Sequence, residues 1–322
     1  MMFLSDSALE RLRVAADAPD LAGTRYRLLG KLGQGGMGGV FRVEDSTLER
    51  EVALKVINVA DPSLSARLLQ EARVLAKLEH PGIVPVHDAG TLPDGRPYYT
   101  MKLVQGNRLD ELVNDSVGIA DRLRMFLRIC EPVAFAHAHG VLHRDLKPAN
   151  IMIGPFGEVL VMDWGLSKLL AEGMASADNG SVAEERAADP AAVVATAHGS
   201  VLGTPGYMAP EQRNGETVNQ RADVYALGSI LEFLLQDAQP RGPARLAAIC
   251  RKAKAEDRDV RYASVADLAD DVAHFVDGLP VSAYPESVFG RAWRWIARNR
   301  TWILLLLAYI VVRALLIFFR PR

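Results

Sequence analysis

Cysteine is scarce: Cys130 and Cys250 are the only two in 322 residues, and both sit in apolar, helix-like surroundings. Neither a disulfide framework nor a thiolate metal site can be built from them at ordinary spacing, which points to a reducing compartment. The N-terminus lacks the basic stretch and apolar run of a secretory signal. No internal repeat is present, which excludes solenoid and propeller architectures. Acidic residues are missing altogether from residue 288 onward, where seven arginines occur, so the preceding chain carries 30 basic against 39 acidic groups. An acidic body argues against nonspecific nucleic-acid binding, and the basic end argues for a local role. With 49% hydrophobic and 24% charged residues, the composition is that of a folded chain. Its length suits one large two-lobed domain or two ordinary ones.

Residues 5–20 carry the capping-box pattern Ser7-x-x-Glu10 and stop at Ala18-Pro19, which predicts a short leading helix. From Tyr26 to Val104 the pattern is strand-like: YRLLGKLG, GGVFRVED, EVALKVINV, IVPVHDAG and PYYTMKLV. One helix is predicted among them, over 65–78, with Leu68, Leu69, Ala72, Leu75 and Ala76 as its apolar stripe. LPDGRP, at 92–97, is a strong hairpin turn. After Gly106 helical patterns dominate, apart from short strands near 151 and at EVLVMD. A strand-rich part followed by a helix-rich part is an α+β arrangement. Residues 173–199 are small, polar and acidic without an apolar period, and read as a mobile loop.

Several motifs carry chemistry. GQGGMGGV (33–40) lies between two strands, and its missing side chains let backbone N–H groups approach phosphates. Alone it is a weak signal, but glycines that precede a strand disfavour a dinucleotide fold. Lys55 sits inside the apolar strand VALKV, where an ammonium needs an anionic partner, and Glu71 on the following helix is positioned to supply one. In VLHRDLKPANIMI (141–153), His143, Arg144, Asp145 and Lys147 crowd between apolar flanks. Asp145, with Lys147 two residues away, is the candidate base that orients a hydroxyl nucleophile. Asn150 offers a neutral oxygen and Asp163, in VMDWGLSK, a carboxylate; both suit a hard cation. His137 and His139 are two apart on a predicted helix, so they face different ways and make a poor metal pair; a core or turn role is the better reading.

In chain order these are a G-x-G-x-x-G-x-V loop, VALK, a helical Glu, HRDLKPAN, DWG and APE at 209–211. That ordered set is the protein-kinase signature. From about Tyr26 to Gly278 the chain resembles the eukaryotic-like serine/threonine protein kinases of bacteria. The resemblance implies a bilobal kinase-like α+β fold, with a strand-rich N-lobe at 24–104 and a helical C-lobe at 105–278. It implies an enzyme that transfers the γ-phosphate of ATP to Ser/Thr hydroxyls, with Mg²⁺, or Mn²⁺ in its place, as the metal. Nucleotide is expected along Leu32, Gly33, Gln34, Gly35, Gly36, Met37, Gly38, Gly39, Val40 and Ala53. Met101 is the expected gatekeeper beside the backbone of Lys102 and Val104. Lys55 is expected to bind the α- and β-phosphates and pair with Glu71, Asp145 to orient the substrate hydroxyl, and Lys147 to contact the moving phosphoryl group. Asn150 and Asp163 are the implied metal ligands. Glu211 is expected to pair with Arg261, and Asp223 to hold the backbone of the catalytic loop. Arg144 is placed to clamp a phosphorylated loop; of Ser176, Ser181, Thr196 and Ser200, the preferred autophosphorylation sites are Thr196 and Ser200.

Three departures stand out. Trp164 replaces the usual Phe of the metal-binding motif, Lys102 replaces a common hinge acid, and the passage between Gly228 and Cys250 is far shorter than the family's, lacking a substrate-docking helix. That last departure keeps a rival reading open: a catalytically weak or inactive kinase-fold scaffold or nucleotide-binding module. A small-molecule phosphotransferase is disfavoured by GTPGYMAPE, which resembles a peptide-substrate loop. Finally, residues 279–300 form a basic, aromatic linker ahead of TWILLLLAYIVVRALLIFF (301–319), about 28 Å long as a helix and close to the thickness of a bilayer core. Trp293, Trp295 and Trp302 fit an interfacial belt, and Arg291, Arg294, Arg298 and Arg300 a positive cytoplasmic flank. This predicts a C-terminal single-pass anchor with the kinase part in the cytoplasm. The partners expected are a Ser/Thr-containing protein substrate, the membrane, a second copy for trans-autophosphorylation, and no nucleic acid.

Overall fold

The computed structural model describes residues 18–35, 38–57, 69, 72–73, 75–112, 118–164, 206–236, 244–285 and scattered positions between 299 and 313. The leading helix, the loop over 173–199, the four hydroxyl residues Ser176, Ser181, Thr196 and Ser200, and most of the apolar tail lie outside these residues. Five strands build the N-terminal sheet: β1 (Tyr26–Gly35), β2 (Gly38–Asp45), β3 (Arg50–Ile57), β4 (Val86–Thr91) and β5 (Pro97–Lys102). They are antiparallel in the order β1-β2-β3-β5-β4. The β4–β5 turn is the LPDGRP hairpin, closed by Leu92 N–H to Arg96 O at 2.8 Å, with Gly95 at φ 85°. The predicted strand IVPVHDAG is shorter than its pattern. Pro85 has no N–H to give a ladder, so the strand begins at Val86, and Ile83 makes only a single parallel bridge to Val161.

Strand β3 is buried on both faces, and the two faces do different work. Val52, Leu54 and Val56 join Phe41, Val43 and Tyr98 in a small outer cluster. Ala53, Lys55 and Ile57 alternate onto the opposite face, where Ile57 meets Leu75, Leu78 and Tyr99 in the main core. That core continues without a break into the helical part, so the two lobes share one apolar interior.

The second lobe begins with β6 (Asn107–Arg108) and α1 (Leu109–Leu112), followed by α2 (Ile119–Ala138). Leu123, Phe126, Cys130 and Val133 recur along α2 at helical spacing and are buried. β7 (Ile151–Ile153) and β8 (Val159–Val161) pair with β6 in a three-stranded sheet. A short helix α3 (Pro210–Arg213) precedes α4 (Gln220–Leu235), which is buried nearly all round, as a central helix must be. α5 (Ala244–Ala253) and α6 (Val265–Val276) complete the lobe. Only residues 236–243 separate α4 from α5, so the shortening after Gly228 is visible in the element order. A Cβ on Gly228 would lie 2.7 Å from the Ala253 Cβ, so glycine is what lets α5 lie directly against α4. Arg122 of α2, buried to 1% exposure, donates to Leu234 O at 2.8 Å and satisfies a carbonyl at the end of α4.

Arg261 holds the lobe together from within. Its two Nη atoms donate to the Glu211 carboxylate at 2.7 and 2.8 Å, and further N–H groups reach Ala255 O, Glu256 O and Arg221 O. Arg261→Ala leaves Glu211 charged and buried without its partner, and unfolding in denaturant is expected to show a loss of about 3–5 kcal/mol. A loss under about 1 kcal/mol would mean that the pair bears no such weight.

Candidate active site

The catalytic-loop stretch is shaped by one carboxylate. Asp223, buried in α4, accepts the backbone N–H of His143 and of Arg144, each at 2.8 Å, and the His137 Nε2–H at 2.7 Å. These bonds hold Arg144 at φ 65°, a left-handed conformation that costs a non-glycine residue about 1–3 kcal/mol. His143, fully buried, accepts from the Asp145 N–H through Nδ1 at 3.2 Å, which fixes its tautomer, so Nε2–H donates to Met162 O at 2.9 Å. Its ring lies 4.7 Å from that of Trp164, whose indole N–H donates to Val161 O. The loop and the DWG turn are thus tied together, and Asp163 is itself left-handed at φ 53°. Met162 N–H donates to Asn150 O at 2.8 Å, adding a second tie.

Around this frame the predicted polar residues converge. Lys147 Nζ lies 2.8 Å from Asp145 Oδ2. Asn150 donates through Nδ2 to Asp145 O at 2.8 Å and to Asp145 Oδ2 at 3.2 Å. Its amide nitrogen being so engaged, the Asn150 oxygen is the atom the side chain has to offer a cation. Lys55, from β3 of the other lobe, donates to Asp163 Oδ1 at 2.5 Å. Burial alone would lower the Lys55 pKa and raise that of Asp163; the paired Asp163 carboxylate offsets the first effect and the Lys55 ammonium the second. Both groups therefore stay ionised. The expected Lys55–Glu71 pair involves Glu71, which lies outside the described residues.

The roof comes from the first three strands. β1 and β2 slip register between Lys31 and Gly33, which makes Leu32 the extra residue of a bulge and leaves it half exposed. Gly33, Gln34 and Gly35 run down β1 to the turn, and Gly38 and Gly39 return along β2; Gly36 and Met37 lie outside the described residues. At Gly38 a Cβ would sit 1.9 Å from Val56 O, and φ is 149°, so only glycine fits. Val40 is opposite Lys55, and Ala53 opposite Met101, so all four belong to the inward face. Lys102 N–H bonds to Pro85 O at 3.2 Å, and Val104 follows just past the strand.

Three neighbours of the site were not singled out by motif. His137 was assigned to the core or a turn and is buried, but as the third donor to Asp223. Gln212, just after APE, donates from Nε2 to Arg144 O at 2.9 Å and joins that segment to the catalytic loop. Tyr99 is directly opposite Lys55, with the ammonium 5.9 Å from its ring centroid; counting register across the β3–β5 pair would have found it.

A family model described as the protein kinase domain matches residues 26–279. The chain belongs to the protein kinase family. Among relatives, a serine/threonine-protein kinase PknD of Protochlamydia amoebophila is 34% identical, covering 79% of this chain and 30% of its own length. PknB of Mycolicibacterium smegmatis is 35% identical over 81% of this chain and 44% of its own. The kinase domain of Mycobacterium tuberculosis PknI superposes with a TM-score of 0.57 at 25% identity, covering 80% of this chain and 98% of that one. The chain thus spans 30–44% of the length of these two curated kinases.

The buried ionisable groups of this kinase domain predict its acid behaviour. For Asp223 and Glu211, burial pushes the pKa up, but hydrogen bonds from His137 and from Arg261 outweigh it, and both carboxyls sit below their ordinary values. Such groups stabilise the fold above the unfolded pKa and lose that contribution as pH falls through the folded one. Burial lowers the His143 pKa from 6.5, so unfolding lets it take up a proton and costs stability below that pH. Denaturation midpoints are expected to be level above neutrality, to decline below about pH 6.5 and to fall steeply below about pH 4. A midpoint that rises between pH 6.5 and 5 would contradict this.

Proposed function

We propose that the chain is an ATP- and divalent-metal-dependent protein serine/threonine kinase, as its relatives' names describe them. The observation that carries the reading is the convergence of Asp145, Lys147 and Asn150 in one hydrogen-bonded cluster, with Lys55 and Asp163 paired nearby. A scaffold has no physical need for all five. Asp145 orients a Ser or Thr hydroxyl, whose oxygen forms a bond to the γ-phosphorus as the bond to ADP breaks; the hydroxyl proton passes to the carboxylate. Lys147 adds positive charge beside the phosphoryl group, and Lys55 holds the α- and β-phosphates against the sheet. The Asn150 oxygen and the ionised Asp163 are hard donors that suit Mg²⁺, or Mn²⁺, which supplies charge neutralisation on the phosphates when bound. Thr196 and Ser200 are the proposed sites of autophosphorylation between two copies, with Arg144 as the clamp.

The scaffold reading has one observation in its favour: only residues 236–243 separate α4 from α5, a short passage where the family resemblance leads one to expect a substrate-docking helix. Labelled ATP decides between the two. Wild-type chain is expected to label itself and a generic basic protein, and Asp145→Asn to lower the rate about 10²–10⁴-fold with nucleotide affinity unchanged. Nucleotide binding without any transfer by the wild type would favour the scaffold.

We further propose that residues 301–319 anchor the chain in a membrane, with the kinase domain in the cytoplasm. Among the described residues no helix is long and apolar enough to cross a bilayer. The support is the apolar run with its arginine-rich, tryptophan-bearing flank. Deletion of 301–322 is expected to move the protein from the carbonate-resistant membrane fraction to the soluble one; retention in the membrane fraction would refute the anchor.

A further inference from the structure

We propose that Tyr99 is a positioning residue for Lys55, holding its ammonium for the nucleotide's phosphates from within the sheet. The inference rests on the reading of this cleft as an ATP site. Lys55 on β3 and Tyr99 on β5 are directly opposed in the antiparallel ladder. Opposed residues leave the same face with Cβ atoms about 5 Å apart. Met101 and Ala53 form the neighbouring pair of that face. The Tyr99 ring is buried at 4% exposure in the main core, with Ile57, Leu75 and Trp164 in the same cluster. Lys55 Nζ stands 5.9 Å from the ring centroid, near the outer limit for a cation over a ring, and the phenol favours the charged form of the lysine.

An aliphatic residue would fill this core position equally well, because everything else on the inward face nearby is apolar apart from Lys55 itself. A phenol placed there calls for a polar neighbour, and the opposed ammonium is the charged group beside it. The partners differ in what moves them. Asp163 belongs to the other lobe and to the proposed metal, so its bond to Lys55 is the one given up when nucleotide and metal arrive. Tyr99 shares the β3–β5 ladder with Lys55, so its place beside the ammonium survives that exchange. The lysine then keeps its aim while its acidic partner changes roles.

The test is Tyr99→Phe in the full chain, which removes one oxygen and retains the ring. Calorimetric affinities are measured for MgATP and for adenosine, with the melting temperature alongside. The dissociation constant for MgATP is expected to rise about tenfold, as for loss of a hydrogen bond to a charged group. Adenosine, which has no phosphates for Lys55 to hold, is expected to bind as before, and melting to shift by less than about 3 °C. Added to Lys55→Met, Tyr99→Phe is expected to cause no further loss, because its effect runs through the lysine. Unchanged MgATP affinity, equal weakening of MgATP and adenosine, or additivity with Lys55→Met would each overturn the proposal. So would a large drop in melting temperature with both ligands weakened, since that is a packing effect. Binding needs no phosphoryl transfer, so an inactive scaffold is still a fair subject. A wild-type chain that binds no MgATP overturns this inference together with the nucleotide-site reading, whereas MgATP binding indifferent to Tyr99→Phe overturns this one alone.

Discussion

Everything in the cleft hangs from the carboxylate of Asp223. It is buried in the helix at the centre of the second lobe, where an unpaired charge would be intolerable, and it is saturated by three donors from 137, 143 and 144. The requirement runs both ways. The carboxylate needs those N–H groups to be buried at all, and the backbone at 143–144 needs the carboxylate to hold its left-handed turn. Because that turn aims Asp145 and seats the His143 ring against Trp164, the buried charge sets the relation of the catalytic loop to the DWG segment. The bidentate Glu211–Arg261 pair does similar work on the other side of α4, where Arg261 also takes the Arg221 carbonyl.

The lobes differ in how they are held. The first depends on strand alternation, with an outer cluster around Phe41 and Val43 and an inner face that carries Lys55. The second depends on a few deeply buried polar residues spaced along helices. Where its chain is shortest, between α4 and α5, the fold compensates by contact: Gly228 admits Ala253 at close range, and Arg122 takes up a carbonyl at the end of α4. The missing segment leaves the core of the lobe closed.

Much of this was legible in the residues alone. Period-two alternation and the LPDGRP turn located the five strands, since local chemistry decides both. The motif order identified the family, and HRDLKPAN and DWG supplied the polar residues that meet in the cleft. What periodicity does not report is pairing across long separations. It placed His137 on a helix yet said nothing of an acid 86 residues away, and it gave no hint that Gln212 reaches Arg144, 68 residues earlier. Strand IVPVHDAG begins late, at Val86, for a local reason, the missing N–H of Pro85, which a hydrophobicity pattern cannot register. Tyr99 was missed because it belongs to no motif; its meaning lies in the register that sets it against Lys55.

The Lys55–Asp163 contact also bears on the thermodynamics of ligand entry. In the structure each charge already has a counter-ion, so neither waits naked in a partly dehydrated cleft. Were an anionic ligand and its cation to enter together as proposed, the lysine would trade a carboxylate for a phosphate and the aspartate an ammonium for a metal. Such an entry would be a double exchange of partners, in which Lys55 and Asp163 each leave one counter-ion for another. Affinity at such a site would be governed by the difference between two sets of contacts, the pair already present and the one that replaces it.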